Sequence, residues 1–349
     1  WNGGETLGVT VDYAYFAVPM GDWTIDAGRM PLNYSKFYSW DIRPTRLRAI
    51  YKHGNFKIIP FLGVVNELSD NPLDAWDDND FMQYGIVPIV NMSNGWTLKG
   101  FFRYNDDAQE WDQAHELVTV ATTDANGVAG TMQVPKGNAN GGQKALGGGM
   151  NVPDFDFGTR ANPHADRSGF DASVHLNNNG AKNSPIGFEA EVAYVAADYQ
   201  KTEDDGLGAY VQLSSRSMGA FTPAVVVGLT QDGFVADNDF GFVMVGGNES
   251  TTVVDVGNRD GDLMFGAFVA SYAVSPRLTL TGNLLYADYD NNTEGNITDA
   301  IEVSGVASYA LADGANLTYK AGYLAPGFDD DDAMDDPYFG HLVRLELEF

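Results

Sequence analysis

The chain has 349 residues, 48 Asp and Glu against 20 Lys and Arg, a formal net charge of -28, 40 Gly and no Cys. That balance excludes a nucleic-acid binder, whose footprint is basic, and suits a surface that repels anions and gathers cations. Without Cys there is no disulfide framework, thiolate metal site or c-type haem attachment, and the length accommodates two ordinary domains or one large β-structure.

The opening "WNGGETLGV" lacks the charged start and apolar core of a signal peptide. No segment reaches the ~18 to 20 continuous apolar residues of a membrane helix. Window hydropathy alone therefore reads as soluble, yet transmembrane strands alternate and hide their apolar face from such averages. Alternation dominates this chain, with little helical periodicity. In order, it predicts strands near 5–18, 22–32, 45–53, 55–65, 81–92, 96–105, 168–177, 186–198, 207–216, 220–231, 262–274, 277–289, 299–311, 315–326 and 338–349. Leu7, Val9, Val11, Tyr13 and Tyr15 face one way in the first, and Val343, Leu345, Leu347 and Phe349 do so in the last. Tyr210 is an exception, lying on the polar face of its strand. Pro60 and Pro88 fall inside two strands, where Pro removes a ladder hydrogen bond and implies a bulge or an edge.

The connections alternate too. Gly21-Asp22, Gly54-Asn55, Asn94-Gly95, Met218-Gly219, Ser275-Pro276 and Asp313-Gly314 are hairpin signals. Between them lie longer polar, acidic loops at 33–44, 66–80, 106–167, 199–206, 232–261, 291–298 and 327–337. The connection 178–185 is longer than its place in this rhythm requires. Loop 106–167 contains a hairpin signal around Ala125-Asn126-Gly127, read as a projection. Short turn, long loop is the rhythm of an up-and-down transmembrane β-barrel of about 16 strands, with brief periplasmic turns and long outer loops. Single-chain bacterial barrels usually have even strand numbers, so a further strand is expected before Trp1. The apolar face carries Tyr13, Tyr15, Tyr286, Tyr309 and Tyr323 near strand ends, as an interfacial girdle does, and the opposite face is small or polar, as a wet interior needs. Closing the sheet removes the edges that lipid does not tolerate.

Three features resemble the Gram-negative outer-membrane general-diffusion porins: the ending "FGHLVRLELEF", the segment "GDWTIDAGRMPLNY" and the turn-and-loop rhythm. The resemblance covers the whole chain. It implies a single barrel over 1–349 in the outer membrane, a homotrimer, contact with the lipid bilayer and lipopolysaccharide, and delivery by the barrel-assembly machinery. That machinery would read Phe349, Leu347 and Leu345. The resemblance also implies an acidic loop folded into the lumen. Loop 66–80, with Glu67, Asp70, Asp74, Asp77, Asp78 and Asp80, holds that place. Facing it would be a basic wall of Arg29, Arg46, Arg48, Lys52, Lys57, Lys99 and Arg103. Arg46, Arg48 and Lys52 share a parity, as do Lys99 and Arg103, whereas parity sets Arg29 with Trp23, Ile25 and Ala27 unless a bulge or the rim intervenes. Opposed charges across such a gap orient polar solutes, and the acidic excess predicts a weak cation preference.

Sharper chemical readings are weaker. Asp171, Ser173 and His175 share a strand face, but neighbours on one face stand ~6 to 7 Å apart and point in parallel, unlike a hydrolytic triad. They read as polar lumen wall, so no enzymatic activity is expected. Asp329, Asp330, Asp331 and Asp332 are a possible structural Ca²⁺ site through hard oxygen ligands, or a solvated repelling loop. The five His have no ligand spacing, and "GGGMNVPDFDFG" lacks a phosphate-loop context. Beside a passive channel for small hydrophilic solutes stand two other readings: a plugged barrel with a structural or adhesive surface role, and a secreted soluble β-sandwich or β-helix protein.

Overall fold

The computed structural model of the protein describes residues 14–39, 45–66, 81–107, 117–123, 129–135, 168–196, 205–237, 240–246, 250–257, 261–291, 297–328 and 336–347. Within these, alternating segments form strands, because period-two patterning presents one apolar and one mixed face. In chain order they are β1 (Ala14–Met20), β2 (Trp23–Arg29), β3 (Thr45–His53), β4 (Phe56–Asn66), β5 (Phe81–Asn91), β6 (Thr97–Asp107), β7 (Leu117–Thr123), β8 (Ala129–Pro135), β9 (Gly169–Asn177), β10 (Ile186–Val195), β11 (Gly206–Ser215), β12 (Phe221–Gln231), β13 (Gly261–Ser275), β14 (Leu278–Asn291), β15 (Ile297–Ala312), β16 (Ala315–Phe328) and β17 (Tyr338–Leu347).

Fifteen strands make one sheet, β1 to β6 and then β9 to β17, each antiparallel to its sequence neighbour, with β7 and β8 paired separately. The separate pair is the hairpin expected within the long connection, with Thr123 opposite Ala129. The main sheet thus has as many strands as the sequence has alternating segments outside that connection. The further strand expected before Trp1 lies beyond the described residues, as do positions 5–13 of the first predicted strand. Among the described residues no ladder joins β1 to β17.

Short and long connections alternate around the sheet as expected. At the β3–β4 turn, Gly54 has φ +57, a region that glycine enters without strain. Gly95 has φ +85, and a Cβ there would lie 2.3 Å from the Ala181 nitrogen, so this turn packs directly on the 178–185 connection. That connection is long because it is anchored: Arg216 donates to the Asn178 carbonyl at 3.1 Å and the Asn179 side chain at 3.0 Å.

Neither interior proline makes a bulge. Around Pro60 the β3–β4 register runs Arg48↔Phe61 to Tyr51↔Ile58, and around Pro88 the β5–β6 register runs Ile86↔Phe102 to Ile89↔Lys99. The register is the same on both sides of each gap. Each Pro therefore interrupts one ladder locally, as a missing N–H must, without shifting the strands. Opposite Pro88 stands Gly100, where a Cβ would come within 3.0 Å of the ring.

The outward face is apolar and exposed, with Met264, Phe268, Leu284, Tyr286, Val303, Tyr319 and Val343 among its residues. The inward face is mixed and mostly buried. It is covered by segment 30–39, after β2, and by the described residues of segment 232–257, after β12. Phe37 from the first segment packs against Tyr210 of β11, with ring centroids 4.9 Å apart. β11 lies seven strand positions from β2 along the sheet, so the sheet curls around its inner segments.

Candidate functional site

The interior has two halves of different chemistry, each built by one face of neighbouring strands and an inner segment. Segment 30–39 folds tightly, with Ser39 N donating to Ser35 O at 3.1 Å. That turn buries Met30, Tyr34 and Phe37 and directs Ser35 and Tyr38 at the wall. The sequence places 30–32 at the end of a strand and 33–39 in a polar outer loop. The structure corrects that expectation: "MPLNYSKFYS" is apolar at every second or third position, and its apolar side chains turn inward.

The inward residues of β3, β4 and β6 include Arg46, Arg48, Lys52, Lys57, Lys99 and Arg103, six of the seven candidates for the basic wall that the porin resemblance implies. Arg46 is 2 % exposed, and its guanidinium lies over the Phe61 ring at 4.6 Å. Arg48 pairs with Asp26 of β2 at 2.8 Å. Lys99 Nζ donates to the Tyr34 carbonyl at 3.1 Å. Arg103 is buried and paired with Asp171 of β9, which also accepts from Asn105 at 3.3 Å. Arg29 does not belong to this wall. It is exposed at the end of β2, opposite Thr45, and keeps the outward parity of Trp23 and Ile25 without a bulge.

Next to the basic wall stands an acidic one on β9 and β10. Glu191, 1 % exposed, accepts from Ser35 at 2.7 Å and Ser173 at 2.6 Å. Glu189 meets His175 at 2.9 Å and accepts from Tyr210 at 3.0 Å. Asp171, Ser173 and His175 thus engage Arg103, Glu191 and Glu189 respectively, three separate partners and no relay among themselves. The Tyr34 hydroxyl donates to the carbonyls of Lys99 at 3.1 Å and Ser173 at 3.2 Å. Burial raises its pKa above the usual phenol value, so it remains a neutral donor. The polar exception Tyr210 is explained as well: its ring packs on Phe37 and Phe240 while its hydroxyl serves Glu189.

The other half is apolar. Phe234, Val243, Met244, Val245 and Val256 of segment 232–257 pack against Val226, Leu263, Phe265, Leu285 and Leu324. The small and polar inner parity leads to a wet interior being expected, and in this half apolar side chains of the inner segment occupy part of that space. Glu302 of β15 anchors the segment. Its carboxylate accepts from three consecutive N–H groups, Val243 at 2.9 Å, Met244 at 3.0 Å and Val245 at 2.8 Å. Such a row of amides forms an anion-holding concavity. The two inner segments also meet, through Asp237 N donating to Phe37 O at 2.8 Å.

Two neighbouring cavities along the basic wall share Lys57, Ile89 and Lys99 in their linings. One of about 490 Å³ opens at the short-turn end, lined by Lys52, Asn55, Lys57, Asn91, Lys99 and Asn177. A second of about 190 Å³ is lined by Asn33, Tyr34, Arg46, Arg48, Lys57 and Lys99, together with Phe61 and aliphatic side chains. The acidic loop of Glu67, Asp70, Asp74, Asp77, Asp78 and Asp80, the run Asp329 to Asp332 and the terminal Phe349 lie outside the described residues. Among the described residues no group of three or more His, Asp or Glu is placed to hold a metal ion. Leu345 and Leu347 lie exposed on the outward face of β17. Sequence reasoning missed Glu302, Glu191, Ser35 and Tyr38 as site residues. Parity set Glu302 inward with Ser304, but nothing local signals the amides that it holds.

No family model and no curated protein matches the sequence. Solved structures do. OccK11 (OpdR) of Pseudomonas aeruginosa aligns over 96 % of this chain and 79 % of its own, at 10 % identity and a TM-score of 0.50. OprB of Pseudomonas putida aligns over 82 % and 69 %, at 11 % identity and a TM-score of 0.42. The outer membrane channel DcaP of Acinetobacter baumannii aligns over 86 % and 83 %, at 11 % identity and a TM-score of 0.35. With fifteen antiparallel up-and-down strands in one sheet, the chain has the fold of outer-membrane β-barrel channels.

Proposed function

We propose that the protein is an outer-membrane porin of the general-diffusion kind, a homotrimer that passes small hydrophilic solutes and ions without a chemical step. The supporting observation is the division of faces. An apolar, Tyr-bearing surface runs around the outside, and a charged, cavity-lined wall from β3 to β10 runs inside. In this reading the short turns are periplasmic and the long acidic loops face outward, towards lipopolysaccharide. Loop 66–80 completes the constriction opposite Arg46, Arg48 and Lys57. The net charge of -28 concentrates cations at the mouths, which gives a weak overall cation preference despite the basic wall.

Planar bilayers test this. The purified protein should give steady ohmic steps, and in a KCl gradient the reversal potential should have the sign of modest cation preference. A clear anion preference would refute the charge argument at the mouths. A second reading, a filled barrel with a structural or adhesive surface role, is favoured by the apolar cluster of segment 232–257. It expects membrane insertion with no steady conductance.

A further inference from the structure

We propose that the cleft between the β5–β6 turn and the 178–185 connection binds one anionic phospholipid of the turn-side leaflet, with its phosphate on Lys182. The proposal rests on the membrane reading of the sheet and concerns the outer rim of the barrel, not its lumen. The first observation is the connection itself. Two residues join β1 to β2 and β3 to β4, whereas eight stand between β9 and β10. Those eight are held fast. Arg216 Nη1 donates to the carbonyls of Asn178 at 3.1 Å and Ala181 at 3.3 Å. Its Nη2 donates to the side-chain oxygens of Asn178 at 3.1 Å and Asn179 at 3.0 Å. The Asn178 side chain in turn donates to the Ile186 carbonyl at 2.9 Å and accepts from Phe188 N at 2.8 Å. On its other side the connection abuts the neighbouring turn, where a Cβ on Gly180 would lie 2.8 Å from the Gly95 carbonyl oxygen. Closing a hairpin requires none of this. Together the two turns make a fixed rim, and a cleft of about 540 Å³ lies between them.

The second observation is that the cleft has two chemistries. One side is apolar and continues the outward face. Trp96 extends the parity of Leu98, whose cross-strand partners are Val90 and Leu176. Its ring packs on Phe188 of β10, with centroids 5.3 Å apart. Met92 in the same turn is exposed. The other side is polar and positive: Ser93, Asn183, Ser184 and the exposed Lys182, with no Asp or Glu in the lining. Trp settles where hydrocarbon meets water, and a lysine beside it carries its ammonium to the head-group level. A phosphodiester answers that ammonium as a point charge, and basic pockets at this depth hold anionic head groups. The hydroxyls of a glycerol head match Ser93, Asn183 and Ser184, while the first acyl methylenes cover Trp96 and Met92. Free phosphate would leave the aromatic side unused, and a choline head would bring a second cation beside Lys182. The chain carries a net charge of -28, so a preference for anionic lipid must come from a local site and not from general attraction.

Native mass spectrometry of the protein released from neutral detergent micelles tests the site, with dioleoyl phosphatidylglycerol and dioleoyl phosphatidylcholine as probes. Phosphatidylglycerol should be retained about tenfold more tightly than phosphatidylcholine, the scale of one charged hydrogen bond. Lys182→Glu, on an exposed residue, should abolish that preference. Arg277→Gln, on an exposed basic residue in the β13–β14 turn at the same end, should leave it unchanged. Inorganic phosphate at equal concentration should not displace the lipid. The proposal is overturned by equal retention of the two lipids, by a preference that survives Lys182→Glu, by an equal loss in Arg277→Gln, or by displacement with phosphate. Fractionation of the same protein with lipid vesicles separates this site from the membrane reading beneath it. A protein that inserts into vesicles but prefers neither lipid refutes the site alone, whereas one that stays in the aqueous phase without detergent refutes both.

Discussion

At the scale of single residues, the interior is organised by charges whose partners come from distant sequence. Glu302 shows how much one side chain holds. It sits on β15, buried, and takes the amides of Val243, Met244 and Val245 in succession. A hydrogen bond to a charged group contributes about 1.5 to 3 kcal/mol, and a buried donor left alone costs about as much. Glu302→Ala should therefore destabilise the folded protein by about 3 kcal/mol or more, measured as urea unfolding from micelles. Glu302→Gln, which keeps an acceptor oxygen, should lose less. An alanine variant as stable as the parent would show that the three amides find water instead. Parity alone places Glu302 on the inward face, as it does Arg46, Arg48 and Lys57. What it meets there was not legible, because its partners lie 57 to 59 residues away on a segment without regular structure.

At the scale of elements, strands were read well and connections poorly, for one physical reason. A strand declares its two faces by alternation, whereas a loop that folds back declares only that it is not a strand. The predicted strand 22–32 shows this boundary. Its last residues leave the sheet after Arg29, because Met30 turns into the interior and is fully buried. The apolar residues of 30–39 and 232–257 were visible, but their polar neighbours suggested solvent. Phe37 links these two segments, standing 5.3 Å from Phe234 and 4.8 Å from Phe240. Removing a buried Phe side chain costs about 3 to 5 kcal/mol through lost contacts and the cavity left behind. Phe37→Ala should lower stability by that amount and remove the ring contacts between the two segments, leaving the Asp237–Phe37 backbone hydrogen bond. If they restrict the channel, single-channel conductance should rise in this variant. A destabilised variant with unchanged conductance would mean that the apolar half of the interior is structural and does not border the ion path.

At the scale of the whole molecule, the strand order was nearly complete in the sequence, since up-and-down topology needs only that each strand pair with the next. The identity of the surroundings was harder, because a soluble sheet and a membrane sheet share the same alternation. The structure supplies the missing fact: the exposed face is the apolar one, and the mixed face is buried. Leu284 and Val303 are cross-strand partners at the outward surface, each more than half exposed. In a water-soluble protein, Leu284→Lys would be neutral or would improve solubility, because the side chain already meets water. In a barrel the same lysine faces hydrocarbon, at a cost of about 2 to 4 kcal/mol near the bilayer midplane. The variant should therefore fold into lipid vesicles less stably by that amount, while Ser271→Lys, on the inward face near the open turn end, should be nearly neutral. Equal stability of the two lysine variants in vesicles would remove lipid from the outward face and with it the membrane reading of the whole sheet.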